Sequence, residues 1–328
     1  MKHTVYIVLL YAASGCTYHG DGGDGDVLQD ADIAADHEAD ATNEEAGEAP
    51  DVPEEFDPFT ITVATYNLHM FETGSPSIKY NALAAVFEQM DADIVALQEL
   101  SEPEALVALL GYLGDHTSLG YVDQAAGSGD YVQNGVISRF DLVDEDTELY
   151  DPYITDPFGE YSGTFSRKLL KVRVQVAPAC SFILLVTHLK AMDDAASFAR
   201  RRAEAYKIEE IMRDHVMGFE DEIILAGDMN NVVEGSGGDW ETTLVYLALE
   251  SDGDPANDFY NPALEELSPL PSTVHRYEVY LDHFFISPAM RLRYVEDSVE
   301  VIDYGPAESD DASDHYPVVT TYEISPPG

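Results

Sequence analysis

Six times between Tyr66 and His315 a short apolar run ends at, or very near, an Asn, Glu, Asp or His. The segments are Tyr66-Asn67-Leu68-His69, Leu97-Gln98-Glu99, Thr187-His188-Leu189-Lys190, Gly227-Asp228-Met229-Asn230-Asn231, Leu281-Asp282-His283 and Ser313-Asp314-His315. Short apolar runs bounded by polar or turn residues read as buried strands. A strand end is a rigid place from which to present a polar group to a ligand. A chain built this way is constrained to a mixed α/β fold whose chemistry gathers where strands stop.

The rest of the pattern agrees. Residues 60–65, 93–97, 131–138, 181–187, 222–226, 280–287, 298–302 and 317–322 read as strands. Residues 168–176 alternate Leu170, Val172, Val174 and Val176 with Lys171, Arg173 and Gln175, the signature of a strand with one face in the core. A turn at 177–180 joins it to the next strand as a hairpin. Residues 78–90 place Leu83, Val86, Phe87 and Met90 on one helical face, and 102–113 and 193–216 also read as helices. Residues 227–239 read as a Gly-rich loop, and 251–275 as a long loop of the kind that often carries function.

Singly, each polar residue has an ordinary explanation. Asn67 could satisfy a turn, Glu99 a helix start, and Asp282 and Asp314 could be caps. His188 could sit at a sheet edge, and His283 reads as a plain strand residue. Together they have the composition that metal-assisted phosphoryl hydrolysis requires. A hard cation takes oxygen ligands and needs only one or two carboxylates plus an amide, which Glu99 and Asn67 supply. A histidine oriented by a carboxylate activates water, and His315 with Asp282 is such a pair. His188, Asn230 and Lys190 can donate to phosphoryl oxygens, and Asp228 can position the nucleophile or serve as a second acid.

In this order, and with Asn134-Gly135-Val136-Ile137-Ser138-Arg139 as a further segment, the motifs resemble those of the endonuclease/exonuclease/phosphatase superfamily. The resemblance runs from about Phe59 to Tyr322. It implies a four-layer α/β/β/α sandwich, two mixed β-sheets flanked by helices, with the site at one edge. It further implies Mg²⁺ or Mn²⁺ on Asn67 and Glu99 with Asp314 nearby, and a base pair of His315 and Asp282. Asp228 and Asn230 would handle the nucleophile, and His188 would stabilise the transition state or protonate the leaving group. Arg167, in the segment 163–169, is the candidate grip on substrate phosphate beside Lys190.

Composition sets the boundaries. The chain has 328 residues, 45% of them hydrophobic, enough for one large core without cross-links. Its two cysteines are Cys16 and Cys180. Residues 1–16 have a basic start, an apolar run and small residues before Cys16, and so resemble a bacterial lipoprotein signal with Cys16 as the lipidated residue. Plain secretion is the alternative, because Ala13 stands where that pattern usually has Leu. Cys180 is then the one thiol of the folded part, an inert core or strand-end residue.

Residues 17–57 hold nine Asp, six Glu and no Lys or Arg, a composition that stays a solvated tether. Leader and tether take 15 of the 63 acidic residues and one of the 16 basic ones, which leaves a catalytic domain, 58–325, of net charge about −33. Such a surface weighs against tight binding of duplex nucleic acid.

Ten of the basic residues lie between Arg167 and Arg213, which allows a local positive island. The run Arg200-Arg201-Arg202 itself reads as a solvated face paired with surplus acid. No exposed aromatic hairpin for lipid insertion is recognisable. The expected protein is an extracytoplasmic monomer, secreted or lipid-anchored, that hydrolyses a nucleic-acid, phospholipid or small phosphate ester. The alternative is a non-catalytic binding module on the same fold.

Overall fold

Strands buried on both faces decide the architecture. The computed structural model describes residues 56–113, 121–122, 133–178, 180–216, 221–232, 240–305 and 311–326. The expected leader, Cys16 and nearly all of the acidic tether lie outside the described residues.

Along the chain run β1 (Phe59–Phe71), α1 (Ser77–Met90), β2 (Ile94–Leu100), α2 (Pro103–Leu113), β3 (Tyr121–Val122), β4 (Gln133–Ser138) and β5 (Asp141–Tyr150). Then come β6 (Tyr153–Thr155), β7 (Ser162–Thr164), β8 (Leu169–Ala177), β9 (Cys180–His188), α3 (Ala195–Val216) and β10 (Ile223–Asp228). The last elements are α4 (Trp240–Leu247), α5 (Pro262–Glu266), β11 (Asp282–Ile286), α6 (Pro288–Arg291), β12 (Glu300–Val301) and β13 (Val318–Ile324).

The strands form two mixed sheets, ordered β12-β13-β1-β2-β4-β3 and β11-β10-β9-β8-β5, and β6 pairs with β7 apart from them. Pairs β1–β2 and β9–β10 are parallel. Ile61, Val63, Ile94 and Ala96 of the first sheet meet Val172, Val174, Leu184, Val186, Ile224 and Phe284 of the second in one apolar layer. The opposite faces are also buried. Ala64, Tyr66 and Val95 pack with Leu83, Val86 and Phe87 of α1 and Leu106 and Leu109 of α2. Ile183, Leu185 and Leu225 pack with Ile208 and Met212 of α3 and Leu247 of α4. Burying both faces of each sheet gives the four-layer α/β/β/α sandwich.

The expected β8–β9 hairpin forms, and Cys180 is buried at the start of β9. Strand β5 was not expected from its sequence. It is an edge strand rich in Asp and Glu, residues depleted in strands but useful at edges, where charge blocks further pairing. Helix α4 likewise lies outside the expected elements. The long loop 251–275 contains α5, whose N-cap Asn261 accepts from Leu264 N–H.

Two surface expectations are corrected. In the arginine run Arg202 pairs with Asp156 and Glu160 and Arg200 lies near Glu204, as expected, but Arg201 is buried rather than solvated. With Lys171 on Glu148, Lys207 on Glu210 and Arg213 near Glu209, much of the positive island is neutralised by adjacent carboxylates. Exposed aromatics do occur beside the β6–β7 pair: Tyr153 is 69% and Phe158 63% exposed, with Arg202 stacked 4.7 Å from the Phe158 ring.

His283, as expected, is a strand residue. It is fully buried on β11, and Asn261 Nδ2 donates to its Nδ1 at 3.1 Å. Burial lowers its pKa from the ordinary 6.5 to about 3. The folded state therefore binds fewer protons than the unfolded state below pH about 6.5, so stability falls with acidification. Relative to His283→Phe, the parent should lose about 2 kcal/mol between pH 8 and pH 5. Urea titrations of the two proteins at both pH values check this; parallel losses would remove His283 as the cause.

Candidate active site

Strand register alone draws the six motifs together. Parallel pairing sets Asn67 opposite Gln98 and His188 opposite Asp228, so two pairs of strand C-termini end side by side. Antiparallel pairing of β10 with β11 sets Asp228 opposite Asp282 at the beginning of β11. Thr65 lies opposite Val318, so the residues leading into β13, Asp314 and His315, come to the same edge.

Local backbone distortion aims the groups. The β1–β2 register shifts between Asn67 and Phe71, and the β2–β4 register between Leu97 and Leu100. Within these irregular stretches His69, Met70 and Glu99 have φ of 49°, 55° and 62°. Bulges re-aim side chains next to functional sites, and a non-glycine residue held here costs on the order of 1–3 kcal/mol. The distortion turns Glu99 so that its Oε2 accepts from Met70 N–H at 2.9 Å. Asn230 is also left-handed, at φ 48°.

The polar groups form one connected network. Asn67 Nδ2 donates to Asp228 Oδ2 at 3.0 Å and to Glu99 Oε1 at 3.3 Å, joining the two sheets through one amide. His188 Nε2 lies 3.4 Å from Asp228 Oδ2 and 3.9 Å from Glu99 Oε1. His315 Nδ1 contacts Asp282 Oδ2 at 2.9 Å, and its Nε2 lies 3.8 Å from Asp228 Oδ2. Asn230 donates its backbone N–H to Asp228 Oδ1 at 2.9 Å and its Nδ2 to Leu189 O at 3.1 Å. Asn67, His188, Asp228, Asp282 and His315 are all buried.

Burial sets the charges. It pushes Asp228 up, and with Asp282 and Glu99 opposing His315 the carboxyl reaches about 7. Burial disfavours a charged His315, but Asp282 and Asp228 outweigh it and raise the ring to about 10. His188 moves the other way: burial, with the charges of Arg167, His315 and Lys190, holds it well below 6.5. Its Nδ1 is buried without a hydrogen-bond partner, while Nε2 faces carboxylates, so the neutral ring carries its proton on Nε2.

The remaining expected residues form the rim. Asp314 is bound by His69 Nδ1 at 2.9 Å, and Lys79 Nζ of α1 donates to His69 O at 2.6 Å. Arg167 Nη1 donates to Leu189 O at 3.2 Å, and Arg167 and Lys190 both lie close enough to depress His188. Asn67, Glu99, His188, Asp228, Asn230, Asp282, Asp314 and His315 therefore come to this edge, with Arg167 and Lys190 near enough for their charge to act on His188. Not foreseen were His69, given no role although it stands inside a motif, and Lys79. Tyr304 was also missed; its hydroxyl donates to His315 O at 2.7 Å and contacts Tyr66 OH at 3.1 Å.

The donor set suits a cation in two places. Buried Asn67 and the partly exposed Glu99 and Asp314 offer hard oxygen ligands. Asp228, Asp282 and His315 bring ligand atoms within 4.8 Å of one another deeper in the site. Asp282 Oδ1 is buried there with no hydrogen-bond partner, an acceptor left over in a cluster already rich in negative charge.

Comparison with known proteins agrees with this fold. The model of the Endonuclease/Exonuclease/phosphatase family matches residues 64–315. Among solved structures, an endonuclease/exonuclease/phosphatase family protein from Bacteroides thetaiotaomicron superposes with TM-score 0.56 and 19% identity, covering 82% of this chain and 97% of that one. Sphingomyelinase C from Streptomyces griseocarneus gives TM-score 0.53 and 16% identity over 80% of this chain and 99% of that one. The human nocturnin catalytic domain gives 0.53 and 16% over 82% and 97%. At such identities the likeness is one of fold. No curated protein sequence is significantly similar to the chain.

Proposed function

Because the chain belongs to the endonuclease/exonuclease/phosphatase family and is a phosphoric ester hydrolase, we propose that it cleaves its ester by in-line attack of a water prepared by His315, Asp282 and Asp228. The observation that carries this reading is the Asn67 amide, bonded at once to Glu99 and to Asp228, which ties the metal-type ligands to the acid–imidazole cluster across the two sheets.

Asn67, Glu99 and Asp314 would hold Mg²⁺ or Mn²⁺; when bound, the cation neutralises charge on the phosphoryl oxygens. The chain's own residues do the rest. Asp282 fixes the His315 ring through Nδ1 and leaves Nε2 for the attacking water, on the side of Asp228. With the His315 ring raised to about 10 and the Asp228 carboxyl to about 7, Asp228 is the group free to take the water's proton near neutral pH, and His315 stands charged beside it. Asn230 N–H holds Asp228 in place. His188, neutral, donates from Nε2 to the phosphoryl group, and Arg167 and Lys190 bind its outer oxygens.

Hydrolysis of bis-p-nitrophenyl phosphate tests this directly. EDTA should reduce the parent to background, with Mg²⁺ or Mn²⁺ restoring it, and Glu99→Ala should lower kcat/KM on the order of 10²-fold. Equal rates for parent, chelated parent and Glu99→Ala would instead favour a binding module.

The strongly acidic surface favours a phospholipid or small phosphate ester over duplex nucleic acid. We place the enzyme outside the cytoplasm, anchored through Cys16. Membrane fractionation of Cys16→Ser should move it to the soluble fraction; an unchanged distribution would leave secretion without a lipid.

A further inference from the structure

Two side chains of α3 hold both polar groups of the Lys190 backbone, and one of them also reaches the segment carrying Arg167. Glu204, fully buried, accepts the backbone N–H of Lys190 at 2.8 Å through Oε2 and that of Ser166 at 2.6 Å through Oε1. Arg201, one helical turn earlier and also buried, donates from Nη1 to Lys190 O and, at 3.2 Å, to Met192 O.

Burying a carboxylate and a guanidinium is costly, and apolar side chains of similar volume would pack this helix against its sheet at no such cost. What charge adds is directional hold on the backbone. One carboxylate binds two chain segments by their N–H groups and so fixes the distance between them. Those segments present Arg167, next to Ser166, and Lys190. Arg167 donates from Nη1 to Leu189 O, between the two segments, and both cations lie near enough to His188 for their charge to act on it.

The geometry points to Arg201 and Glu204 as positioning residues that set the spacing of Arg167 and Lys190, so that both cations meet one substrate phosphate. This gives the arginine run a role inside the fold. It rests on the reading of Arg167 and Lys190 as phosphate-binding groups.

The test uses full-length, metal-loaded enzyme with bis-p-nitrophenyl phosphate as substrate and inorganic phosphate as inhibitor. Glu204→Gln keeps the shape but turns one acceptor into a donor. KM and the inhibition constant for phosphate should both rise on the order of tenfold, while kcat changes by less than about threefold and the circular dichroism is kept. Adding Lys190→Ala should then worsen KM by less than the product of the two single effects.

Unchanged KM and phosphate inhibition in folded Glu204→Gln, or fully multiplicative effects, would overturn the positioning role. Should Glu204→Gln not fold, Arg201→Lys, which keeps the charge but not the fork, carries the same expectation and the same refutation. Arg167→Ala and Lys190→Ala separate the two levels. No effect in either overturns the phosphate-binding reading and the positioning role with it; strong effects in both with none in Glu204→Gln overturn the positioning role alone.

Discussion

His315→Gln should remain folded and hydrolyse bis-p-nitrophenyl phosphate on the order of 10²–10⁴-fold more slowly than the parent at saturating metal. Glutamine can still donate to Asp282, so the buried carboxylate keeps a partner and the fold is spared the larger penalty of an isolated charge. What it cannot do is carry the positive charge that faces Asp228, or give up a proton. Asp228, 3.8 Å from His315 Nε2, would lose the positive ring that opposes the rise of its pKa. The loss should fall on kcat, because the groups proposed to bind phosphate and metal are untouched. A rate within about threefold of the parent would remove His315 from the chemistry.

Gly227→Ala should show the largest stability defect of any single methyl addition in the second sheet. Gly227 has φ 152°, and a Cβ there would lie 1.9 Å from Thr187 O. That oxygen is backbone of β9, which pairs with β10 in the middle of the sheet, so neither side can yield without breaking the ladder. Strain of about 1–3 kcal/mol and overpacking of about 1–3 kcal/mol together predict a loss of roughly 2–6 kcal/mol. Denaturant titration measures it, and a loss under about 1 kcal/mol would mean that β9 and β10 separate more easily than their register implies. Activity should fall with it, because Asp228 and His188 are the next pair along that register.

Much of the site was legible because its members sit at strand ends, where an apolar run stopping at Asp228 or His188 is visible locally. The sandwich was legible for a related reason: alternation in β8 and continuous burial in β9 are written in a few consecutive residues. What could not be read depends on distant neighbours. His69 meets Asp314 across most of the chain, and Tyr304 reaches His315 O from a segment with no pattern of its own. Strand β5 hides because its run of Asp and Glu shows no apolar alternation. Arg201 misleads by composition, since an arginine between two others looks like surface until Lys190 O and Met192 O are found above it.

Neither sheet holds a complete set of reactive groups. Asn67 and Glu99 belong to one, and His188, Asp228 and Asp282 to the other, with an apolar layer between them. Turnover is therefore a gauge of how the two slabs are docked. Gentle heat, or a trimmed methyl in that layer, should silence the enzyme while each slab keeps its own hydrogen-bond ladders.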